Sequence, residues 1–301
     1  MTGTVLLITM LVHLAALVIG GGPWTGPVSL RKPATFAETG WLTAWSVALI
    51  LPVLRTRGWQ RHVIGTSVIL FGIGETAIIG FQAWRGVPSH YNFTTPLDAA
   101  LMRGGAAGTA GIFLIGTIVL LVAAVRSTGT ATSVRLGVIA GIVVLLVGCV
   151  IGFVMISNNS GVYQGSVGAG FARRTAGYLG PDAATVGREY LLLRPATHGG
   201  DLVTLHGIGI HGLVLLAVPA VLLARTAMTR VHQLQVIALA VTSVAVGMIL
   251  LLVQALRQLP MDELDPLALG ALALCTVALL VTYIIVAVAY GSALYSRGTA
   301  S

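Results

Sequence analysis

Eight stretches of this chain are apolar enough to lie in hydrocarbon, and most are long enough to cross about 30 Å of it at 1.5 Å of helical rise per residue. They lie near 4–22, 40–54, 62–84, 107–125, 134–157, 202–224, 233–256 and 268–293. The second is the shortest, and its helix is expected to extend back towards Phe36. Backbone in hydrocarbon has to satisfy its own hydrogen bonds, so the fold class is all-α: a polytopic membrane protein with eight transmembrane helices. The first stretch has no Lys or Arg ahead of it, lacks the basic start of a secretory signal, and reads as a retained span.

Charge supports this reading. Only 9% of the 301 residues are charged and the mean hydropathy is +0.94, where a soluble domain carries roughly 25% charge. The net charge of +8 belongs to loops at a lipid headgroup boundary, so the bilayer is the first partner. No soluble basic face exists, and nucleic acid is not expected as a partner. Cys149 and Cys275 both sit inside apolar runs and read as packing residues, with no disulfide or thiolate metal site implied.

The connections at 55–61, 126–133 and 225–232, together with Arg135 and the C-terminus, hold Arg55, Arg57, Arg61, Arg126, Arg225, Arg230 and Arg297, and no acid. By the positive-inside rule they face the cytoplasm, which puts both termini inside a cell membrane crossed many times. Arg31 and Lys32, after the first span, argue mildly the other way.

Two patterns repeat. Arg31-Lys-Pro-Ala-Thr-Phe-Ala-Glu38 leads through an apolar run to Pro52, and Arg194-Pro-Ala-Thr-His-Gly-Gly-Asp201 leads through another to Pro219. Gln82-Ala-Trp-Arg85-Gly-Val-Pro88 ends the third stretch, and Gln254-Ala-Leu-Arg257-Gln-Leu-Pro260 ends the seventh. The shared QAxRxxP pattern and the same order of both motifs predict two tandem four-helix repeats, residues 1–130 and 131–301, with a site between them. The second unit carries an outer loop at 158–201, rich in Gly and Ser, expected to be a lid or partly ordered.

Candidate site residues are polar groups set deep in the spans. Glu75 stands about ten residues from the outer end of its helix, roughly 14 Å down, and shares a face with Gln82 and Arg85. A carboxylate at that depth costs a few kcal/mol unless it is paired or protonated. His206 and His211 follow Asp201, at depths of roughly 7 and 15 Å. Five residues is about 140° of a regular helix, too far apart for one metal, although Gly207 and Gly212 permit distortion. Asp201 itself is placed either to cap the helix or to meet a ligand. His13 falls at the same depth in the first helix, which predicts a polar layer of His13, Glu75 and His211.

The loop Arg85-Gly-Val-Pro-Ser-His90-Tyr-Asn-Phe-Thr-Thr-Pro-Leu-Asp98 is expected to roof the cavity, with His90 and Asp98 either supporting a ligand or serving only the turn. His62 and His232 read as caps at the cytoplasmic ends of their helices. Asn92-Phe-Thr94 fits the glycosylation acceptor pattern, which presumes a secreted eukaryotic context.

The run from Glu75 through Gln82-Ala-Trp-Arg85-Gly-Val-Pro-Ser-His90-Tyr-Asn, with Gly200-Asp201, His206 and His211 downstream, resembles a family of bacterial polytopic membrane proteins over most of the chain. The resemblance implies the fold and no reaction. At Gly165-Ser166-Val167-Gly168 the chain departs from the family's pattern, which has a histidine and a Gly-Pro-rich turn there. The layout of two four-helix units with an outer acid and histidines is also similar to that of haem A synthases. Those place histidine ligands on helices of both halves, and here the fourth and eighth helices have none.

Three functions follow. In the first, a membrane-embedded redox protein binds haem or a metal through His13, His206 or His211, and Glu75 and His211 serve the chemistry. In the second, a transporter or binding protein recognises a small polar solute with Glu75, Gln82, Arg85, His90, Asp201, Gln254 and Arg257. A third, an assembly or scaffolding subunit, leaves the deep polar layer without a purpose.

Overall fold

The computed structural model describes residues 1–24, 28–90, 92–158, 178–179, 199–260 and 263–298. Ten α-helices appear among them. They are α1 (Thr2–Gly20), α2 (Arg31–Ile50), α3 (Gly58–Trp84), α4 (Pro96–Ala100), α5 (Ala107–Arg126), α6 (Thr132–Asn158), α7 (Leu202–Ile210), α8 (Val218–Leu223), α9 (Arg230–Leu256) and α10 (Pro266–Gly298). Seven spans are long and apolar enough to cross a membrane, and α7 with α8, bent by 49°, make an eighth if counted as one. The all-α membrane fold is therefore as the apolar pattern predicts. Counted as eight crossings, the spans bring both termini to one end of the bundle, here called the terminus end.

Helix bounds differ from the sequence pattern where polar residues start or break a span. The second helix begins at Arg31, well before its apolar run, so Lys32 and Glu38 belong to it. The fourth span begins at Pro96 and not at 107, because Thr95 caps it: its hydroxyl accepts from the Asp98 amide at 3.1 Å and donates to Asp98 Oδ2 at 2.7 Å. Proline at the first helical position costs no hydrogen bond. A π-turn, Leu101–Ala106, then joins α4 to α5.

The sixth span is broken. Its helix stops at Ile210, His211 takes the C-cap position, and a second π-turn, Leu213–Ala217, carries the chain into α8. Such turns leave the regular ladder and recur at functional sites. The regular-helix geometry assumed for His206 and His211 therefore does not hold.

In sequence order α1 packs on α2, α2 on α3, and α3 on α5; then α6 packs on α7 and α8, and α9 on α10. The halves meet where α5 lies on α6 and where α2 lies on the π-turn before α8. An apolar cluster crosses this seam, with Val47, Ile64, Val68, Phe113 and Leu120 of the first half against Val138, Ile142, Leu213 and Val221 of the second.

Glycines let α6 pack tightly on α7 and the turn after it. A Cβ at Gly148 of α6 would stand 2.6 Å from the Gly209 carbonyl carbon of α7, and one at Gly141 would stand 2.8 Å from the Gly212 oxygen. Only hydrogen at these positions lets the two backbones approach so closely.

The two QAxRxxP segments end their helices in the same way. After α3, Gly86 takes φ +70° and the amides of Gly86 and Val87 return to Ala83 O and Gln82 O at 3.0 and 3.1 Å. After α9, Gln258 takes φ +59° and the amides of Gln258 and Leu259 return to Ala255 O and Gln254 O at 2.9 and 3.4 Å. Both are Schellman ends, so the repeated pattern records a helix stop. The second Pro-Ala-Thr segment, His198 and the Gly165–Gly168 departure lie outside the described residues. So does most of the proposed lid; of residues 158–201 only 158, 178–179 and 199–201 are described, and Tyr178–Leu179 pairs with Gly200–Asp201 as a two-residue antiparallel ladder.

Candidate functional site

The site is built around Glu75. On α3 its side chain is 3% exposed, and the Thr109 hydroxyl of α5 donates to Oε1 at 2.7 Å. Oε2 is buried and has no hydrogen-bond partner among the described residues. An unmet carboxylate oxygen in hydrocarbon is costly, and a donor supplied by a ligand would satisfy it. Thr109 follows the first π-turn directly, and its hydroxyl also lies 3.0 Å from the Gly105 and Ala106 carbonyls.

One helical turn nearer the terminus end, α3 and α5 close the floor. Phe71 and Phe113 stack with centroids 4.3 Å apart and planes 15° apart, and Phe113 joins the apolar cluster below. Glu75 therefore has packed apolar side chains between it and the terminus end, and its polar neighbours lie towards the opposite end.

Those neighbours come from both halves. Lys32, in the first turn of α2, interacts electrostatically with Glu75 and with His90. The His90 ring packs against Phe36 of α2 with centroids 5.7 Å apart and planes tilted by 47°, and His206 of α7 lies within electrostatic reach of it. His206 is in turn within reach of His211. Burial, followed by the Lys32 charge and then His206, holds the His90 imidazole well below its ordinary pKa, so His90 is neutral at physiological pH. The arrangement is a chain of ionisable groups from Glu75 through Lys32 and His90 to His206 and His211, running from the first half into the second.

His206 is oriented by α6. Its Nδ1 lies 2.8 Å from the Gly148 carbonyl, and a Cβ at Gly152 would press to within 3.0 Å of Cε1. If Nδ1 carries the proton it donates to that carbonyl and leaves Nε2 as the acceptor. The His211 ring has no hydrogen bond to a described residue.

Several residues predicted for the site belong elsewhere. His13 does not join a layer with Glu75: it packs against Gly80 and Trp84 of α3, in an apolar groove of about 280 Å³ between α1 and α3. Its Nδ1 bonds to Thr9 O at 2.8 Å and its Nε2 accepts from the Trp84 indole at 3.3 Å. Both nitrogens are engaged, so a haem ligated by His13 and a histidine of the second half does not fit. Matching depth was the only ground for that layer, and depth says nothing of which way a side chain faces.

Gln82 and Arg85 form a lock that ends α3. Arg85 Nη1 and Gln82 Nε2 each donate to Asp98 Oδ1 at 2.8 Å, and Arg85 also donates to Gln82 Oε1. Thr94 and Thr95 donate to Asp98 Oδ2. With its carboxylate 2% exposed and filled by donors, Asp98 fastens the roof loop to α3. Asp201 caps α7, accepting from the Thr204 amide at 2.9 Å and hydroxyl at 2.8 Å. Gln254 donates to Pro260 O at 2.7 Å, while Arg257 is exposed at its helix end.

Sequence reasoning missed Lys32, Phe36 and Thr109. Lys32 was legible as a cation at the head of an apolar helix, but Thr109 looks like any hydroxyl in a span. Among the described residues no three His, Cys, Asp or Glu side chains are placed to hold a metal ion. Comparison with protein-family models, with curated proteins and with solved structures finds no match.

Proposed function

We propose that this chain is an integral membrane protein that binds a small polar solute, for transport or reception, at an outer-facing site between two tandem four-helix units. Glu75 is the group that receives it. The observation that carries the reading is the buried Glu75 Oε2, which no described protein donor reaches, in a carboxylate whose other oxygen is held by Thr109. A solute with an N–H or O–H donor completes it. The stacked Phe71 and Phe113 beneath favour entry from the outer end.

The matching Schellman ends of α3 and α9 support the duplication, and the acid-free arginines at the terminus end support cytoplasmic termini in a cell membrane. Gln82, Arg85, Asp201 and Gln254 act in this reading as structure that holds the roof and helix ends. Membership of the bacterial polytopic family that the motifs resemble is part of the proposal and adds no reaction.

A thermal-unfolding screen of the detergent-solubilised protein against monovalent cations, amines, amino acids and polyols tests it. At least one class should stabilise the protein and fail to stabilise Glu75→Gln. Equal shifts for both proteins, or none for either, would overturn the reading.

One observation favours a second reading, a redox protein with haem or a metal at His206. The Gly148 carbonyl fixes His206 Nδ1 and frees Nε2, as outer-shell partners of metal-bound histidines do. The group would supply electron transfer, and His206 would hold it. An absorption spectrum separates the two: a Soret band lost in His206→Ala supports haem, and its absence after expression with haem supplied favours the solute.

A further inference from the structure

At the terminus end a second polar cluster has no role in the solute site. The connection from α5 to α6 is received by the connection from α2 to α3: the Arg55 amide donates to Ser127 Oγ at 2.8 Å, and the Thr130 hydroxyl donates to Val53 O at 2.9 Å. These bonds hold Arg55 over the hairpin, where a Cβ at Gly129 would fall 2.9 Å from its guanidinium carbon. Arg135, one turn into α6, reaches the end of α5, where its Nη2 donates to the Val125 carbonyl at 3.2 Å. Its Nε is buried and has no partner among the described residues. Arg126 is the last residue of α5.

None of the chain's nine acids belongs to the connections at this end. Arg55 thus lies against the hairpin and Arg135 against the end of α5 that leads into it, with Arg126 beside them in sequence and no carboxylate in the connections to balance them. The hairpin lies at the end of two spans, where a bilayer presents its phosphates. Guanidinium forks match phosphate oxygens in pairs, and the missing side chain at Gly129 lets the Arg55 guanidinium lie against the hairpin. Beneath the arginines the exposed face of α5 is apolar, with Ile118, Val122 and Val125 at helical spacing. That strip gives an acyl chain a path directly below the charges.

We propose that Arg55, Arg126 and Arg135 at the α5–α6 hairpin bind the phosphate of an anionic phospholipid. The site lies at the seam of the two halves, so the lipid ties α2 and α5 to α6.

The test is native mass spectrometry of the full chain with added phosphatidylglycerol, phosphatidylcholine or inorganic phosphate. Phosphatidylglycerol adducts should form at least tenfold more tightly than phosphatidylcholine adducts. Arg55→Gln and Arg135→Gln should each weaken them on the order of fivefold, as expected for loss of one cation near an anionic surface. Arg135→Lys keeps the charge without the fork and should weaken binding less than Arg135→Gln, which guards against misfolding as the cause. Arg230→Gln, on α9, should leave the preference unchanged. The proposal fails if both phospholipids bind alike, if Arg55→Gln and Arg135→Gln keep the full preference, or if inorganic phosphate competes the lipid away at equal concentration.

Discussion

Thr109 donates its hydroxyl to Glu75 across the α3–α5 interface at 2.7 Å, one turn above the stacked pair Phe71 and Phe113. The same two helices therefore supply both the polar site and the apolar floor that closes it, and a π-turn lies just before Thr109 in the fourth span. This relationship makes the first prediction. Thr109→Val removes the donor to Glu75 Oε1 and should lower the unfolding free energy in micelles by about 1–2 kcal/mol. With Glu75→Leu already present the added loss should nearly vanish, since no carboxylate is left unmet. A silent Thr109→Val would mean that Glu75 is satisfied in some other way.

Close packing of α6 on α7 gives a second test. Gly148→Ala puts a Cβ 2.6 Å from backbone atoms of Gly209 and Ile210, which cannot rotate away. It should cost about 1–3 kcal/mol and disturb His206, whose partner is the Gly148 carbonyl. Gly111→Ala in α5 meets nothing within 4 Å and should stabilise by roughly 0.5–1 kcal/mol. Equal effects of the two changes, read by thermal unfolding, would contradict the packing.

The twin helix ends predict opposite responses to one kind of change. Gly86 and Gln258 both hold left-handed backbone, at φ +70° and +59°. Gly86→Ala should therefore destabilise, and Gln258→Gly should stabilise, each by roughly 1 kcal/mol. If Gln258→Gly destabilised the protein, the two ends would not be equivalent and the duplication would lose its structural support.

How legible this was in sequence divides by kind of information. Hydropathy revealed the spans because hydrocarbon imposes one rule on every residue in them. Their ends were less plain: the Thr-Thr-Pro at 94–96 reads as loop, although a Thr cap before a Pro at the first helical position is itself a helix start. Glu75 stood out because an acid at that depth needs a reason. His13 was misassigned because helical rise gives depth and not facing, and the contact with Trp84 is tertiary. Gln82 and Arg85 recur for a backbone reason, the helix stop, and that alone does not make them ligands. Lys32 and Thr109 acquire meaning only once α2 and α5 are packed beside α3.

His90 supplies a pH dependence. Its folded pKa is depressed below the ordinary value of 6.5 by burial, by Lys32 and by His206, so the unfolded chain takes up the proton first. Stability is then constant above about 6.5 and falls as the pH drops below it. Chemical unfolding followed from about pH 8 to about pH 5 should show this acid-side loss reduced in His90→Gln. An unchanged slope would place the loss on another group.

In the proposed solute site Glu75, Lys32 and His206 act together, while Arg85 serves the roof. Equilibrium binding of the stabilising solute from the unfolding screen, measured for four variants, tests it most directly. Glu75→Gln, Lys32→Gln and His206→Gln should each weaken binding at least tenfold, about 1.4 kcal/mol, and Arg85→Lys should bind as the parent does. Full affinity in Glu75→Gln, or a loss confined to Arg85→Lys, would contradict the account.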